Sequence, residues 1–380
     1  MTALLATVSI LLIIIYYLWI IRWNIAWNRL ISYEATGLNA TVKLSIIIPV
    51  RNEEANMEGV LNSLLAQHYP KHLMELIVSD DGSTDNTLKI AKQFFANHAQ
   101  LNGSVIQQEH SSQSSSKKEA LKRAIEKAGG ELIITSDADC VHPVEWLQTI
   151  ASYFSLHKPV MIVGPVVMRG DSSLLQQFQT LDYLSLQASG GASLALNQPL
   201  LCSGANLAFT KSAFYEVNGY EDNLHIASGD DTFLMLKMNK RFSGKVHFIK
   251  SKQAIVSTVC CASLSDFLQQ RTRWISKTKQ YSNKFITTIG TFFLLVNSCF
   301  IFLLIGCIYN PTLLCLAVAY LLAKSIIDFV FLTSASKFFG FTINILSFLW
   351  MELLYTFYLL AVLKGFLSGS YQWKSRNHNS

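Results

Sequence analysis

Leu44-Ser45-Ile46-Ile47-Ile48-Pro49-Val50, followed at once by Arg51-Asn52-Glu53, is the stretch that decides the fold. The run is short, β-branched and apolar without alternation. A strand of a parallel sheet reads this way, because helices cover both of its faces. The same pattern recurs downstream. Apolar residues 76–79 lead into Asp80-Asp81-Gly82, and residues 132–136 lead into Asp137-Ala138-Asp139. Residues 105–107 supply a weaker strand. Helical spacing fills the gaps: 53–67 through Met57, Val60, Leu61, Leu64 and Leu65; 85–98, with Asp85 as N-cap; and 116–128, stopped by Gly129 and Gly130. Alternating strands and helices predict an α/β domain with a mainly parallel sheet. In open sheets of this kind ligands bind beyond the carboxyl ends of the strands, where these acidic groups fall.

The ends of the chain read differently. Of 380 residues, 51% are hydrophobic and 15% charged, against about 25% charged in a soluble domain. Residues 3–21 carry no charge, and about 20 apolar residues cross a bilayer core. No basic stretch precedes this run and no small-residue cleavage site comes after it, which argues against a signal peptide. Trp19, Trp23 and Trp27 suit an interfacial belt, and Arg22 and Arg29 place the chain beyond residue 21 on the cytosolic side. Residues 288–309, 311–333 and 341–363 are three more candidate spans. Lys324 and Asp328, four apart, share a helical face as a self-neutralising pair or part of a substrate path. Four crossings with a cytosolic middle leave the C-terminus outside, although Lys364, Lys374 and Arg376 come after the last span. Either one segment is re-entrant or interfacial, or the tail tolerates that side.

The net charge of +6 fits a membrane-facing cytosolic surface. No basic run with interleaved aromatics marks a nucleic-acid groove. The seven cysteines show neither metal spacing nor a paired framework and read as reduced, buried thiols.

Each chemistry-bearing motif has a plain alternative. Asp137-Ala138-Asp139 suits a small hard cation that takes one or two carboxylates and completes its shell with water and phosphate; alone it is also an Asx-turn. Asp80 and Asp81 offer acceptors for a pyrimidine ring N–H, or simply a turn. Lys117 opens a helix where a cation meets a diphosphate, or is solvated beside Lys118. Ser203-Gly204-Ala205-Asn206 permits close backbone approach. Gly229-Asp230-Asp231 starts a helix at 233–238, as a cap or as a general base. Gln270, Arg273 and Trp274 lie in an amphipathic segment, 264–281, that suits diphosphate and a sugar ring or an interfacial helix.

Taken in order, Pro49-Val50-Arg51-Asn52-Glu53, Asp80-Asp81-Gly82-Ser83, Lys117-x-x-Ala120-Leu121, Asp137-Ala138-Asp139, Ser203-Gly204-Ala205-Asn206, Gly229-Asp230-Asp231 and Gln270-x-x-Arg273-Trp274 resemble glycosyltransferase family 2. The set is most similar to its membrane-integrated branch: cellulose, hyaluronan and poly-N-acetylglucosamine synthases and ceramide glucosyltransferase. The resemblance covers about 43–281.

It implies a GT-A fold, a Rossmann-like mixed sheet, joined to transmembrane helices. The expected organisation is a span at 1–22, the GT-A domain at 43–260, an interfacial helix at 261–285 and about three spans at 288–364. It implies inverting transfer from a nucleotide sugar, usually UDP-linked, by an integral protein of a bacterial inner membrane with its catalytic domain cytosolic. Carried over by position, Asp231 is the base. Pro49, Arg51, Glu53, Asp80, Asp81, Lys117 and Asp137 bind donor, with Asp80 or Asp81 on the base. Asp139 holds Mg²⁺ or Mn²⁺. Asn206, Asp230, Gln270, Arg273 and Trp274 serve acceptor and diphosphate. Processive members often carry Thr-Glu-Asp where this chain has Gly229-Asp230-Asp231, which leaves acceptor preference open. The acceptor is a growing glycan or a lipid, and partner subunits are not indicated. A catalytically inactive membrane scaffold is the reading from another class, and the filled acidic positions argue against it.

Overall fold

The computed structural model describes residues 2–35, 41–107, 117–171, 173–221, 229–277, 283–368, 370–373 and 376–379. The serine-rich stretch 111–116 and residues 278–281 of the expected amphipathic segment lie outside these. The chain divides into two compact units. One comprises Leu30–Arg169 and Ser193–Cys260; the other comprises Met1–Arg29, Gly170–Ala192 and Cys261–Ser380.

The first unit is built on a seven-stranded sheet. Its strands are β1 (Leu44–Val50), β2 (Met74–Asp80), β3 (Asn102–Ile106), β4 (Leu132–Thr135), β5 (Met161–Val163), β7 (Leu207–Thr210) and β8 (Val246–Phe248), in the order β3-β2-β1-β4-β7-β5-β8. β1 runs parallel to both β2 and β4, while β7 is antiparallel to β4 and β5. The sheet is the mainly parallel, mixed, Rossmann-like sheet of the GT-A class. β6 (Val166–Arg169) and β9 (Val256–Val259) form a separate parallel pair. Ile46, Ile47 and Ile48 of β1 are wholly buried, which is why that strand shows no polar alternation. Helices α2 (Glu54–Leu65), α3 (Thr87–Asn97), α4 (Lys117–Lys127) and α5 (Trp146–His157) come after β1 to β4 in turn. α7 (Lys211–Glu216) and α8 (Asp230–Arg241) complete the unit.

The register positions the site. Val50 pairs with Asp80, so Arg51 and Asp81 leave the sheet side by side. Ile47 pairs with Thr135, which brings Asp137 and Asp139 to the same edge.

The second unit is helical: α1 (Thr2–Arg29), most of α6 (Leu174–Ala195), α9 (Leu264–Ser276), α10 (Lys284–Tyr309), α11 (Leu313–Phe339) and α12 (Ile345–Ser368). Residues 370–373 and 376–379 pair as two short antiparallel strands, β10 and β11. Four helices, spanning Ala3–Arg29, Lys284–Tyr309, Leu313–Phe339 and Ile345–Ser368, are long and apolar enough to cross a membrane. Two of the three tryptophans of the expected interfacial belt pack inside the helical unit. Trp23 and Trp27 are buried, stacked on Phe293 and Phe339 respectively. Lys324 does meet Asp328, at 2.8 Å, but it also meets Glu352 of α12 at 2.7 Å. Tyr16 of α1 donates to the far oxygen of Asp328 at 2.5 Å. The pair is thus part of a four-residue network tying α1, α11 and α12 together. A one-helix reading catches only the two residues spaced by a turn.

Candidate active site

Two loops beyond the sheet are laced together. Asn52, in the left-handed region at φ 49°, accepts from the Thr84 N–H through Oδ1 at 2.8 Å. Its own N–H donates to Ser83 Oγ at 3.0 Å, and the Glu53 N–H donates to Thr87 Oγ1 at 2.7 Å. Arg51 Nη1 donates to the Asp81 carbonyl and lies 4.0 Å from that residue's carboxylate. Gly82 takes φ +79°, and a Cβ there would stand 3.6 Å from Arg51 Nη1. Only glycine makes this turn without strain.

The two adjacent aspartates separate by role. Asp80 is fully buried, and its oxygens accept from the N–H groups of Gly82 and Ser83 at 3.1 and 3.0 Å. Its carboxylate therefore holds the turn. Asp81, also buried, is gripped by Arg51. Pro49 sits inside β1 opposite Ser79 and shapes the strand end through its backbone. The N-cap of α3 is Asn86, not Asp85 as expected; Asp85, one residue earlier, accepts from Thr87 N and Glu54 N at 3.0 and 3.1 Å and crosslinks two loops.

Lys117, Asp137, Asp230 and Asp231 come together. Lys117 Nζ donates to Asp137 Oδ1 at 2.6 Å, with the lysine side chain 26% and the aspartate 38% exposed. Burial pulls the ammonium's pKa down, but Asp137, Asp230 and Asp231 outweigh it and hold the pKa above the ordinary lysine value. Lys117 is thus not the solvated lysine of the plain alternative. Lys118, its neighbour, is buried with its ammonium over the Phe233 ring at 5.2 Å.

Asp231 is fixed from both sides. Gly229, at φ +85°, caps α8, so that Asp230 and Asp231 open the helix. Asp231 Oδ2 accepts from the Gly204 N–H at 3.1 Å, and Oδ1 accepts from the Thr232 N–H at 2.6 Å. The Ser203–Asn206 turn therefore orients the carboxylate through a backbone donor. Asn206 itself is spent. Its side chain is buried, Oδ1 accepts from Trp146 Nε1 at 3.0 Å, and Nδ2 donates to the carbonyls of Pro165 and Ala254 at 2.9 and 2.8 Å. The acceptor role expected for Asn206 is therefore not open to its side chain, which ties three segments beneath the site. Trp146→Phe leaves that buried carbonyl without its donor. It should cost about 1–3 kcal/mol, read as a lowered unfolding midpoint of the full chain.

Asp139 lies deeper than Asp137. Its Oδ2 accepts from Thr258 Oγ1 at 3.0 Å. Reciprocal backbone bonds between Val141 and Ser257, at 2.8 and 3.0 Å, pin the loop to β9. Burial, then the charges of Asp137 and Glu53, push the Asp139 carboxyl above the ordinary aspartate value, while Thr258 pulls the other way. Crowded carboxylates of this kind suit a cation. Among the described residues no three His, Cys, Asp or Glu groups converge on one point. The donor set of Asp137 and Asp139 thus matches Mg²⁺ or Mn²⁺, which keep waters and take substrate phosphate oxygens, better than an ion needing a full protein cage.

His142 stands behind this loop and carried no signal in the sequence. Its ring bridges Ser63 Oγ, 2.9 Å from Nδ1, and Ser136 Oγ, 2.8 Å from Nε2, and it packs on the Trp146 indole at a centroid distance of 4.2 Å. Ser136 in turn donates to the Ala205 carbonyl at 2.9 Å. Burial drops the imidazole to about 3, so it is neutral near pH 7. The unfolded chain, with a histidine near 6.5, binds more protons than the folded one between those values. Stability from this source is complete above about pH 6.5 and falls, at up to ~1.4 kcal/mol per pH unit, as pH drops toward 3. His142→Gln should remove that slope in unfolding midpoints measured across pH 4 to 7.

Gln270, Arg273 and Trp274 belong to the other unit, on α9. The residue buried there is Arg271, whose Nε donates to Asp182 Oδ2 at 2.7 Å. Gln270 Oε1 accepts from Arg271 Nη1, and the Trp274 ring lies 4.2 Å from its guanidinium carbon. Arg271 and Asp182 are 89 positions apart, which is why sequence spacing did not expose the pair.

Comparison with known proteins bears on this arrangement. The description Glycosyl transferase family 2 matches residues 45–217, and Glycosyl transferase family group 2 matches residues 132–363. The chain is 34% identical over 112 residues to glycosyltransferase AglE of Haloferax volcanii, covering 30% of this chain and 35% of the relative. It is 27% identical over 236 residues to the poly-beta-1,6-N-acetyl-D-glucosamine synthase of Staphylococcus epidermidis, covering 61% of this chain and 53% of the relative. The matched parts thus span less than two thirds of either relative. Among solved structures, a mannosyltransferase of Pyrobaculum calidifontis in complex with GDP-Man and Mn²⁺ superposes with a TM-score of 0.59 at 18% identity. That match covers 96% of this chain and 97% of the other. At that identity the likeness shows the fold.

Proposed function

Since the chain belongs to glycosyl transferase family 2, we propose that it moves a sugar from a nucleotide-linked donor to a glycan hydroxyl at a membrane, with inversion at the anomeric carbon. The observation that carries this reading is the meeting of Lys117 with Asp137, Asp230 and Asp231, with Asp231 aimed by the Gly204 N–H.

The roles rest on chemistry. Asp231 takes the proton of the attacking hydroxyl, a task that needs a carboxylate held in one orientation. Lys117 answers the negative charge that builds on the departing diphosphate. Asp81, steadied by Arg51 and the Asn52 loop, faces the nucleoside end, while Asp80 holds the turn beneath it. Asp137 and Asp139 hold Mg²⁺ or Mn²⁺, which when bound adds electrostatic stabilisation of the leaving diphosphate. The donor expected from the resemblance is UDP-linked. Gln270, Arg273 and Trp274 are assigned to diphosphate and acceptor on the same ground. A single displacement needs no covalent sugar–protein intermediate.

The four apolar helices favour an acceptor at the membrane; the resemblance implies a bacterial inner membrane with the sheet-bearing unit cytosolic. Product length separates glycan extension from a single transfer to lipid. Vesicles carrying the protein, given donor, should yield glycan of several added sugars. One sugar per lipid molecule would reject chain extension.

A further inference from the structure

We propose that the buried Asp182–Arg271 pair is a positioning device for Gln270 and Trp274, and thereby sets the turnover of the reaction. The inference rests on the proposed function, since it matters only if those two residues serve acceptor and diphosphate.

The pair has unusual features for mere packing. Its side chains are 4% and 3% exposed, with Nε to Oδ2 at 2.7 Å. Burial lowers the pKa of the guanidinium, and Asp182, with Tyr358 and Tyr183, more than restores it. Two buried charges of this kind give little net stability, and apolar residues of similar volume often replace them without loss. Tyr358 of α12 also interacts with the guanidinium.

What the pair does hold is specific. The guanidinium carbon lies 4.6 Å from the Phe267 ring centre and 4.2 Å from that of Trp274. Arg271 also donates through Nη1 to Gln270 Oε1. One planar cation thus fixes an amide and an indole on one face of α9, and Asp182 on α6 fixes the cation. Lysine lacks that planar fork and would hold neither partner in the same way.

The full chain, reconstituted in vesicles with donor and Mn²⁺, tests this with two variants. Asp182→Asn removes the charge that holds Arg271. The double variant Asp182→Leu/Arg271→Met removes both charges and keeps the volume. Positioning requires that the double variant stay folded, with an unfolding midpoint near that of the unsubstituted chain, yet lose about 10²-fold in kcat. Asp182→Asn should lose activity similarly, and Asp182→Glu should recover part of it. Full transfer by the double variant, or loss of its folded state, overturns the proposal, because the pair is then either idle or merely structural. No transfer from any nucleotide sugar by the unsubstituted chain overturns the proposed function, and this inference with it.

Discussion

Asp231→Asn should lower transfer by about 10³-fold, within the range a general base contributes, while the donor still binds. The substitution keeps the shape of the side chain and removes the group proposed to accept the hydroxyl proton. The carboxylate now takes Gly204 N–H on one oxygen and Thr232 N–H on the other. An amide offers only one acceptor oxygen, so one of these bonds is lost, a local change that leaves the sheet and its loops in place. The donor is proposed to meet Asp81, Lys117 and Asp137 instead. Donor titration and turnover measured on the same preparation separate the two effects. Unchanged turnover rejects Asp231 as the base, and lost donor binding shows that the substitution acted through structure.

Chelation should abolish transfer, and Mn²⁺ or Mg²⁺ should restore it. Asp139→Asn should cost about 10²-fold or more in turnover at fixed metal, the scale of losing preorganised charge stabilisation. The pH dependence has a definite sign. Burial and the charges of Asp137 and Glu53 raise the Asp139 carboxyl above its ordinary value. Protons therefore compete with the cation at higher pH than for a free aspartate. The metal concentration needed for half-maximal turnover should rise as pH falls through that range. In Asp139→Asn this part of the pH dependence should vanish. Full activity in excess chelator would refute the metal role.

The parallel half of the sheet was legible because its strands are buried on both faces. The centres of β1, β2 and β4 read as apolar runs, and each leads into the polar residues that the register brings together. The antiparallel β7 was not legible. Its four residues, Leu207–Thr210, come after a turn that reads as a loop, and its insertion between β4 and β5 depends on partners far away in the chain. Asp231 was readable as a helix opener, but not its Gly204 donor, 27 positions away. Asn206 misled for the opposite reason. Its acceptor role was carried over from the resemblance, and the fold reveals that Trp146, Pro165 and Ala254 already occupy its side chain. In the helical unit, Lys324 and Asp328 showed themselves by spacing. Glu352 and Tyr16 required helix packing to be seen.

The most direct test of glycosyl transfer is release of nucleoside diphosphate by the purified full chain. It should be offered a panel of UDP- and GDP-linked sugars with Mn²⁺, in vesicles made from membranes that supply acceptor, with Asp231→Asn run in parallel. The expected result is metal-dependent release from at least one sugar nucleotide, with label moving into a glycan product, and loss of both in the variant. Release from none of the panel, or equal release by the variant, would contradict the assignment of the Lys117–Asp137–Asp230–Asp231 cluster as the catalytic centre.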